Sequence, residues 1–340
     1  MPPAGVEPAR LAALDFESSA STNSATGAGG ELLDERRRRR NRGTIATHAG
    51  RAYRLPVSQD APFDRRLRRL RRDRAARSFA GADYLHRAVA DELLERLAMV
   101  TRRFANCLLV GSAGEEPARR LRALGCTVTA ADPAFFFARA AGGVQCDEDR
   151  LAFTDGRFDL AVSVGVLDSV NDLPGALLLI RRALRPDGLF LGAFAGAGSL
   201  PRLRAAMLAG DSAEGGASPR VHPQIDVRSA GDLLTRAGFA LPVVDCQTLE
   251  VRFSSFRRLV ADLRAMGGTN VLAARGRPLG RIGLAAAIAD FESRAEGEDK
   301  MTERFEIVHV SGWSPSPEQP KPARRGSATA SLAAVLGRRD

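Results

Sequence analysis

The sequence predicts an α/β protein built on a doubly wound, mostly parallel sheet of seven strands. Two observations support this prediction. Short apolar segments of four to seven residues alternate with segments of helical period through the middle of the chain. Several of these segments end at a glycine or an acidic residue, and ligands of parallel sheets bind beyond the carboxyl ends of the strands. The 340 residues suffice for one large domain with appendages.

Two helices are predicted ahead of the sheet. The first starts near Phe63, with Leu67 and Leu70 at helical spacing and Asp64 in the first turn, where its charge suits the helix dipole. The second spans Ala82–Leu97 and places its leucines along one face. Together the two helices are expected to form a lid or brace on the main domain.

The main domain then alternates strands and helices. The helix after the fourth strand is expected to end at the turn Arg185-Pro186-Asp187-Gly188, and the last strand is expected to return antiparallel at the sheet edge. The predicted strands are Cys107–Val110, Thr127–Ala131, a third ending at Cys146, Phe158–Val164, Leu189–Phe194, Pro242–Phe253 and Phe305–Val310; the predicted helices are Pro117–Leu124, Phe135–Ala141, Leu173–Leu184, Leu200–Leu208, Ala230–Ala237, Phe256–Met266 and Leu279–Ala295.

The net charge of +10 is concentrated in one arm of the chain. Residues 36–77 hold sixteen arginines, no lysine and three aspartates, so that segment carries +13 and the remainder −3. The arm lacks interleaved aromatic residues and any recognition motif, so nucleic-acid binding is not favoured.

Four segments are expected: a disordered, basic extension over 1–55, helices over 56–101, the main domain over 102–313 and a surface extension over 314–340. Residues 1–30 show no apolar period, and part of them resembles peptides read from the complementary strand of a tRNA gene. We therefore expect the mature protein to begin near residues 45–60, downstream of an assigned start that lies too early.

Cysteine usage points to a reducing compartment, and the hydropathy of the sequence predicts no membrane-spanning helix. The four cysteines form no CxxC pair, so neither a zinc site nor a disulfide framework is expected, and no metal site is predicted. No stretch approaches the roughly 20 apolar residues of a membrane helix, and the N-terminus lacks the layout of a signal peptide.

A glycine-containing turn follows the first strand. Gly111, Ser112 and Gly114 lie in this turn, where the missing Cβ of a glycine lets the backbone approach a ligand. Asp132 ends the second strand 21 positions after Gly111, the spacing at which a carboxylate meets a ribose hydroxyl pair in nucleotide-binding folds. A plain strand–turn–helix with a surface aspartate has the same pattern.

Three carboxylates, Asp147-Glu148-Asp149, end the third strand. They are suited to accept a hydrogen bond from an adenine amino group, although a solvated turn has the same composition. Further along, Asp172 is expected to cap the next helix, with Pro174 in its first turn.

The run of motifs from Asp147 to Gly188 resembles S-adenosylmethionine (SAM)-dependent methyltransferases of class I. More narrowly, the chain resembles the group that contains the malonyl-carrier-protein methyltransferases of biotin synthesis and the respiratory complex I assembly factor five. The C-terminal stretches favour the assembly-factor branch. The stretches that support the narrower resemblance are Gly215–Pro219, Leu234–Phe239, Asp262–Gly267, Gly312-Trp313 and Arg325–Ala328.

The chain departs from the family's first motif, an acidic residue, one residue, then Gly-x-Gly-x-Gly. The acidic position is Leu109, the second glycine is Ala113 and the third is Glu115. The family's His-Trp after the fourth strand is Asp168-Ser169 here. The cofactor loop is therefore expected to be degenerate, with adenosine anchors retained and the anchor near the methionine group lost.

The resemblance implies SAM as cofactor, with Gly111, Ser112, Gly114, Asp132, Asp147 and Glu148 as binding residues, and a protein or carrier-bound substrate. No catalytic base is identified. The alternative is a non-catalytic, or arginine-hydroxylating, assembly factor whose client is a respiratory complex I subunit. A cytoplasmic, bacterial-type protein is expected, peripheral to the inner membrane through such a client. Nucleic-acid partners and an integral membrane segment are not expected.

Overall fold

The computed structural model describes residues 61–112, 114–296 and 300–319. These residues lie within one compact unit, Val57–Asp340. The expected start near residues 45–60, the 1–55 extension and most of the 314–340 extension fall outside the described residues. So does Ala113 of the cofactor loop.

The described elements follow the predicted alternation closely. Helix α8 has the predicted bounds, and most others begin or end within a few residues of them. The helices are α1 Arg65–Ala75, α2 Tyr84–Ala98, α3 Glu116–Ala123, α4 Phe135–Ala140, α5 Leu173–Ala183, α6 Pro201–Ala213, α7 Val227–Arg236, α8 Phe256–Met266 and α9 Arg281–Glu292; the strands are β1 Asn106–Val110, β2 Thr127–Asp132, β3 Val144–Gln145, β4 Phe158–Val164, β5 Leu184–Ala195, β6 Ala240–Phe253 and β7 Met301–Trp313.

These strands form one seven-stranded sheet in the order β3-β2-β1-β4-β5-β7-β6. The first five strands in that order pair in parallel, whereas β7 runs antiparallel to both β5 and β6. The predicted Rossmann-like sheet and its antiparallel return strand are confirmed. The return strand lies one place in from the edge, because β6 pairs along its outer side.

The sheet is covered on both faces. Along β1, Cys107 and Leu109 face the layer that contains α2, α3, α6, α8 and α9, while Leu108 and Val110 face α5 and α7. All four side chains are fully buried. Burial on both faces explains why β1 is continuously apolar rather than alternating.

The ends of α5 agree with the sequence prediction. The Asp172 side chain accepts a hydrogen bond from the Gly175 amide at 2.8 Å, and Pro174 lies in the first turn. The helix ends at Ala183, but the predicted turn over 185–188 is part of β5, which begins at Leu184 rather than at Leu189. Asp187 in this part of β5 adopts a left-handed conformation with φ 63°. In the described ranges, no helix combines the length and apolar character that a membrane crossing requires.

Helix α1 differs from its prediction in the face that it buries. Asp64 is its N-cap and accepts a hydrogen bond from the Leu67 amide. Leu70 is 45% exposed, whereas Arg68 and Arg72 are each only 5% exposed. Of the predicted apolar positions, Phe63 is buried and Leu67 packs beside it, so the prediction is wrong only for Leu70. Within the helix the buried residues are Arg68, Arg72 and Ala75, and the two arginines are buried because carboxylates at the ends of β2 and β3 face them.

Candidate functional site

The turn after β1 opens the candidate site at the carboxyl edge of the sheet. Gly111 adopts φ +75°, and a Cβ at this position would lie 2.3 Å from a methyl carbon of Val166. Only glycine fits such a conformation and contact without a shift of the neighbouring chain. Ser112 is fully buried, and its hydroxyl donates to the Phe137 carbonyl at 3.1 Å.

Asp132 lies at the end of β2, directly beside this turn. The Ser112 amide donates to its Oδ2 at 3.0 Å, and the Ala134 amide donates to its Oδ1 at 2.8 Å. Arg72 Nη2 also donates to Oδ2, at 2.8 Å. Because the residue is 0% exposed, Asp132 is a buried, paired carboxylate rather than a surface aspartate.

The acidic triplet at the end of β3 is also engaged by arginines. Asp147 and Glu148 are 3% and 1% exposed, which excludes the solvated-turn alternative. Glu148 accepts two hydrogen bonds from Arg68, at 2.7 and 3.0 Å, and Asp147 accepts two from Arg69, at 2.6 and 3.1 Å.

Four arginines of α1 hold all of these carboxylates. Arg65, Arg68, Arg69 and Arg72 follow one another at intervals of three, one and three residues, which places them on one side of the helix. Arg65 completes the set by pairing with Asp149 through two hydrogen bonds of 2.5 Å. In the sequence, these arginines form part of the basic arm. The sequence signal that points to their pairing is their spacing on one side of a helix, in a chain that has four carboxylates at the ends of two strands.

Arg68 contacts more partners than the other three. Besides Glu148, it donates from Nη2 to the Val166 carbonyl at 2.9 Å and from Nε to the Ser169 hydroxyl at 3.0 Å. Burial by itself lowers the pKa of this guanidinium, yet the charge of Glu148 and its hydrogen bonds raise the pKa on balance. Arg68 therefore stays charged and holds the segment after β4 against the turn at Gly111.

The structure separates the predicted site residues into two groups. Gly111, Ser112 and Asp132 contact one another directly, and α1 links them to Asp147 and Glu148 through adjacent arginines. Gly114 lies apart from them. It lines a separate depression beyond the C-terminal end of α1, together with Glu115, Phe79, Phe136 and Arg119.

A chamber of about 310 Å³ lies beyond the carboxyl ends of β4 and β5. Gly165 and Phe194 follow or end those strands and form its floor, and Arg68 and Arg72 form part of its wall. The walls contributed by α2, α6 and α8 are mainly apolar; they include Leu85, Val89, Leu203, Met207, Leu263 and Met266.

Two histidines line the chamber, and both are neutral at pH 7. Burial first, and then the charge of Arg72, lower the pKa of His86 to about 3. Its Nδ1 has no hydrogen-bond partner among the described residues. Burial likewise lowers the pKa of His222, whose Nε2 accepts a hydrogen bond from the Val271 amide at 2.9 Å. The single acceptor nitrogen of neutral His222 is thus occupied, whereas His86 Nδ1 is free to form a hydrogen bond within the described residues.

The positions that depart from the family motif differ in their surroundings. Leu109 is fully buried within the apolar layer that includes α2, so a carboxylate there would be costly until paired. Glu115 is exposed immediately before α3, where a negative charge suits the helix dipole.

No group of three or more His, Cys, Asp or Glu side chains within the described ranges is placed to hold a metal ion. Cys107, Cys126, Cys146 and Cys246 are free thiols. The candidate site is thus a set of paired carboxylates, a glycine turn and an adjoining chamber.

Comparisons with known proteins agree on the family of the chain. A family profile described as a methyltransferase domain matches residues 82–242. The arginine-hydroxylase NDUFAF5 of Danio rerio is 33% identical over 283 residues, covering 80% of this chain and 88% of the relative. The Rattus norvegicus protein of the same name is 32% identical, with 85% and 92% coverage.

A malonyl-[acyl-carrier protein] O-methyltransferase of Laribacter hongkongensis is 31% identical over 265 residues, covering 72% of this chain and 87% of the relative. The chain belongs to this methyltransferase family. It is methyltransferase-like in fold and sequence, and its relatives include both methyltransferases and arginine hydroxylases.

Proposed function

We propose that the chain binds SAM at the carboxyl ends of β1, β2 and β3. In this proposal Asp132 accepts hydrogen bonds from the ribose hydroxyls, Asp147 and Glu148 face the adenine, and Gly111, Ser112 and Gly114 line the turn. Family membership supports the proposal. The observation that carries it is the Asp132 carboxylate, which lies against the Gly111 turn and accepts a hydrogen bond from the Ser112 amide.

The carboxylates at this site are suitable ligands for the cofactor, but in the structure they are paired with arginines. Asp132, Asp147 and Glu148 offer carboxylate oxygens in the appropriate places, yet arginines of α1 engage each of them. When bound, SAM supplies an electrophilic methyl group. The chain has to position an acceptor beside it and exclude water, which are the main requirements of such a transfer.

The chamber beyond β4 and β5 is the proposed acceptor site. Its apolar walls suit an acyl chain or the aliphatic part of a side chain, and the unpaired Nδ1 of His86 is available for a hydrogen bond to the acceptor. We infer a protein or carrier-bound acceptor, as for the relative named for methylation of malonyl-[acyl-carrier protein]. A cytoplasmic location suits such a substrate.

A second candidate is an assembly factor for respiratory complex I, either non-catalytic or arginine-hydroxylating. Two relatives named arginine-hydroxylase NDUFAF5 are matched over 88% and 92% of their lengths, which favours this candidate. The replacement of the family's acidic residue by buried Leu109 favours it as well, since that change weakens the methionine end of the cofactor site. The client would then bring the protein to the inner membrane.

Calorimetric titration of SAM into the full chain tests the proposal. Asp132→Asn is expected to weaken binding about tenfold, because a charge-assisted hydrogen bond contributes about 1.5–3 kcal/mol. Asp155→Asn is the matched control, since Asp155 forms only an exposed pair with Arg182. Equal affinities for the two variants would overturn the assignment of Asp132.

The acceptor is tested separately with isotopically labelled methyl-SAM. Label transferred to malonyl-carrier protein supports the methyltransferase reading. A gain of one oxygen on an arginine of a complex I subunit, in the presence of dioxygen and a reductant, supports the assembly-factor reading.

A further inference from the structure

Helix α1 occupies every carboxylate that the proposed cofactor would use. The Arg72 pair with Asp132 and the Arg68 pair with Glu148 are both almost completely buried, with side-chain exposures of 7%, 0%, 6% and 1% in that order. The outer pairs of Arg65 and Arg69 are partly exposed. Adenosine and α1 therefore compete for the same oxygens.

The same helix closes the space over the glycine turn. Arg68 donates to the Val166 carbonyl, and the Val166 methyl groups fill the position that a Cβ of Gly111 would occupy. Arg72 also places its guanidinium carbon 5.1 Å from the centre of the Phe137 ring, beside β2. One helix thus holds both the carboxylates and the loop that covers the turn.

The two ends of α1 are fixed in different ways. At the N-terminal end, Phe63 is buried against Val271 and Leu272, and the Asp64 amide donates to the Val271 carbonyl at 2.8 Å. At the C-terminal end, Arg72 is held chiefly by the charge of Asp132, and Ala75 packs near Gly267 after α8. The N-terminal end is the better pivot, because a backbone hydrogen bond ties it to Val271. The C-terminal end is held by side-chain contacts: the Arg72 pair, the buried Ala75 and the hydrogen bonds of Arg71 to the segment after α8.

We propose that α1 is a releasable latch on the cofactor site: cofactor binding and withdrawal of Arg68 and Arg72 from Glu148 and Asp132 are coupled. This inference rests on the proposed function and adds its regulation. The ribose hydroxyls of the cofactor donate hydrogen bonds to the Asp132 carboxylate, which the Ser112 and Ala134 amides already hold in position. Arg68 and Arg72 at the same time lose their hydrogen bonds to buried carboxylates. A client or substrate that binds the freed, arginine-rich face of α1 would then favour the loaded state.

The first test measures the affinity of S-adenosylhomocysteine for the full chain by calorimetry. Arg72→Met is expected to tighten binding about tenfold, because it removes the competitor for Asp132. Arg66→Met is the matched control, since Arg66 is exposed on the same helix. Its affinity should equal that of the parent. Equal affinities for all three proteins would overturn the latch.

A disulfide provides a second test that does not remove a buried charge. A Cβ at Gly267 would lie 3.5 Å from the Cβ of Ala75, within the range of a disulfide. We would introduce Ala75→Cys and Gly267→Cys together with Cys246→Ser, which removes an exposed native thiol. The oxidised protein should bind S-adenosylhomocysteine about tenfold more weakly than the same protein after reduction.

The reduced form is its own control, because any strain from the two substitutions is present in both forms. Oxidised and reduced proteins that bind equally would overturn the latch while leaving the proposed cofactor site intact. Failure of the parent, the Arg72→Met variant and the reduced protein to bind at all would overturn the proposed function, and the latch with it.

Discussion

At the residue scale, Asp132 shows how a motif can mark a position in the sequence without indicating the contacts of its side chain. Its position at the end of a strand, 21 residues after Gly111, is visible in the sequence. Its partner Arg72 is 60 residues earlier, and no local pattern announces the pairing. If Asp132 only contacted a cofactor, its substitution would change cofactor affinity alone. Because Asp132 is also one partner of a buried ion pair, its substitution lowers the free energy of unfolding as well, since Arg72 is left charged and buried.

Asp132→Asn is therefore predicted to lower the free energy of unfolding by about 3 kcal/mol. The double variant Arg72→Met, Asp132→Asn should recover much of that loss, since it removes both charges while the Asn side-chain oxygen still accepts a hydrogen bond from the Ser112 or Ala134 amide. Urea unfolding followed by circular dichroism measures both effects. If the single variant is as stable as the exposed-site control Asp155→Asn, the buried pair is not present in solution.

His86 provides a second prediction at this scale, through the dependence of stability on pH. Its pKa is lowered to about 3 by burial, so between about pH 6.5 and pH 3 the unfolded chain binds the proton and the folded chain does not. The contribution of neutral His86 to the free energy of unfolding is therefore fully present above pH 6.5 and is lost as the pH decreases. His86 alone accounts for a loss of about 2 kcal/mol by pH 5. The His86→Leu variant should lose correspondingly less stability between pH 7.5 and pH 5 in urea titrations; an unchanged slope would contradict the neutral, buried imidazole.

At the element scale, the sequence was most informative where local signals decide the outcome. The bounds of α8, the cap of α5 at Asp172 and the apolar strands follow from periodicity and turn chemistry. The burial of arginines on helix α1 does not follow from the sequence, because it depends on ion pairs with distant residues. An arginine-rich helix is expected to be exposed to solvent, but here carboxylates at the ends of β2 and β3 face it. The start of α6 has the same kind of long-range dependence.

Glu303 of β7 caps that helix from a distant strand. It is 0% exposed and accepts hydrogen bonds from the Leu203 amide at 2.7 Å and the Arg202 amide at 3.3 Å. Leu200, at the N-cap position, supplies no side-chain cap. Glu303→Ala should cost about 2 kcal/mol, since it leaves buried amides without acceptors. Glu250→Ala on the exposed side of β6 is the control, and chemical unfolding decides between them: a loss no larger than that of the control would contradict the capping role.

At the scale of the whole molecule, the order of secondary-structure elements predicted the sheet, because short parallel strands and intervening helices admit few topologies. The same order predicts that a ligand binds at the carboxyl edge of the sheet. It did not reveal the chamber, whose walls come from segments as distant as α2, α6 and α8. Nor did it reveal that arginines of the chain pair with its own strand-end carboxylates, because that depends on how α1 folds back onto the sheet.

We propose that the strand-end carboxylates bind either the arginines of α1 or the cofactor. Hydrogen–deuterium exchange of the full chain is the most direct test of this competition. On addition of S-adenosylhomocysteine, the Ser112 and Ala134 amides should exchange more slowly, because the ligand covers the glycine turn and the end of β2. The amides of Arg65–Ala75 should exchange faster in the same sample, because the helix loses its buried partners. Slower exchange in α1 together with the turn would show that the helix is a fixed wall of the pocket and contradict the account.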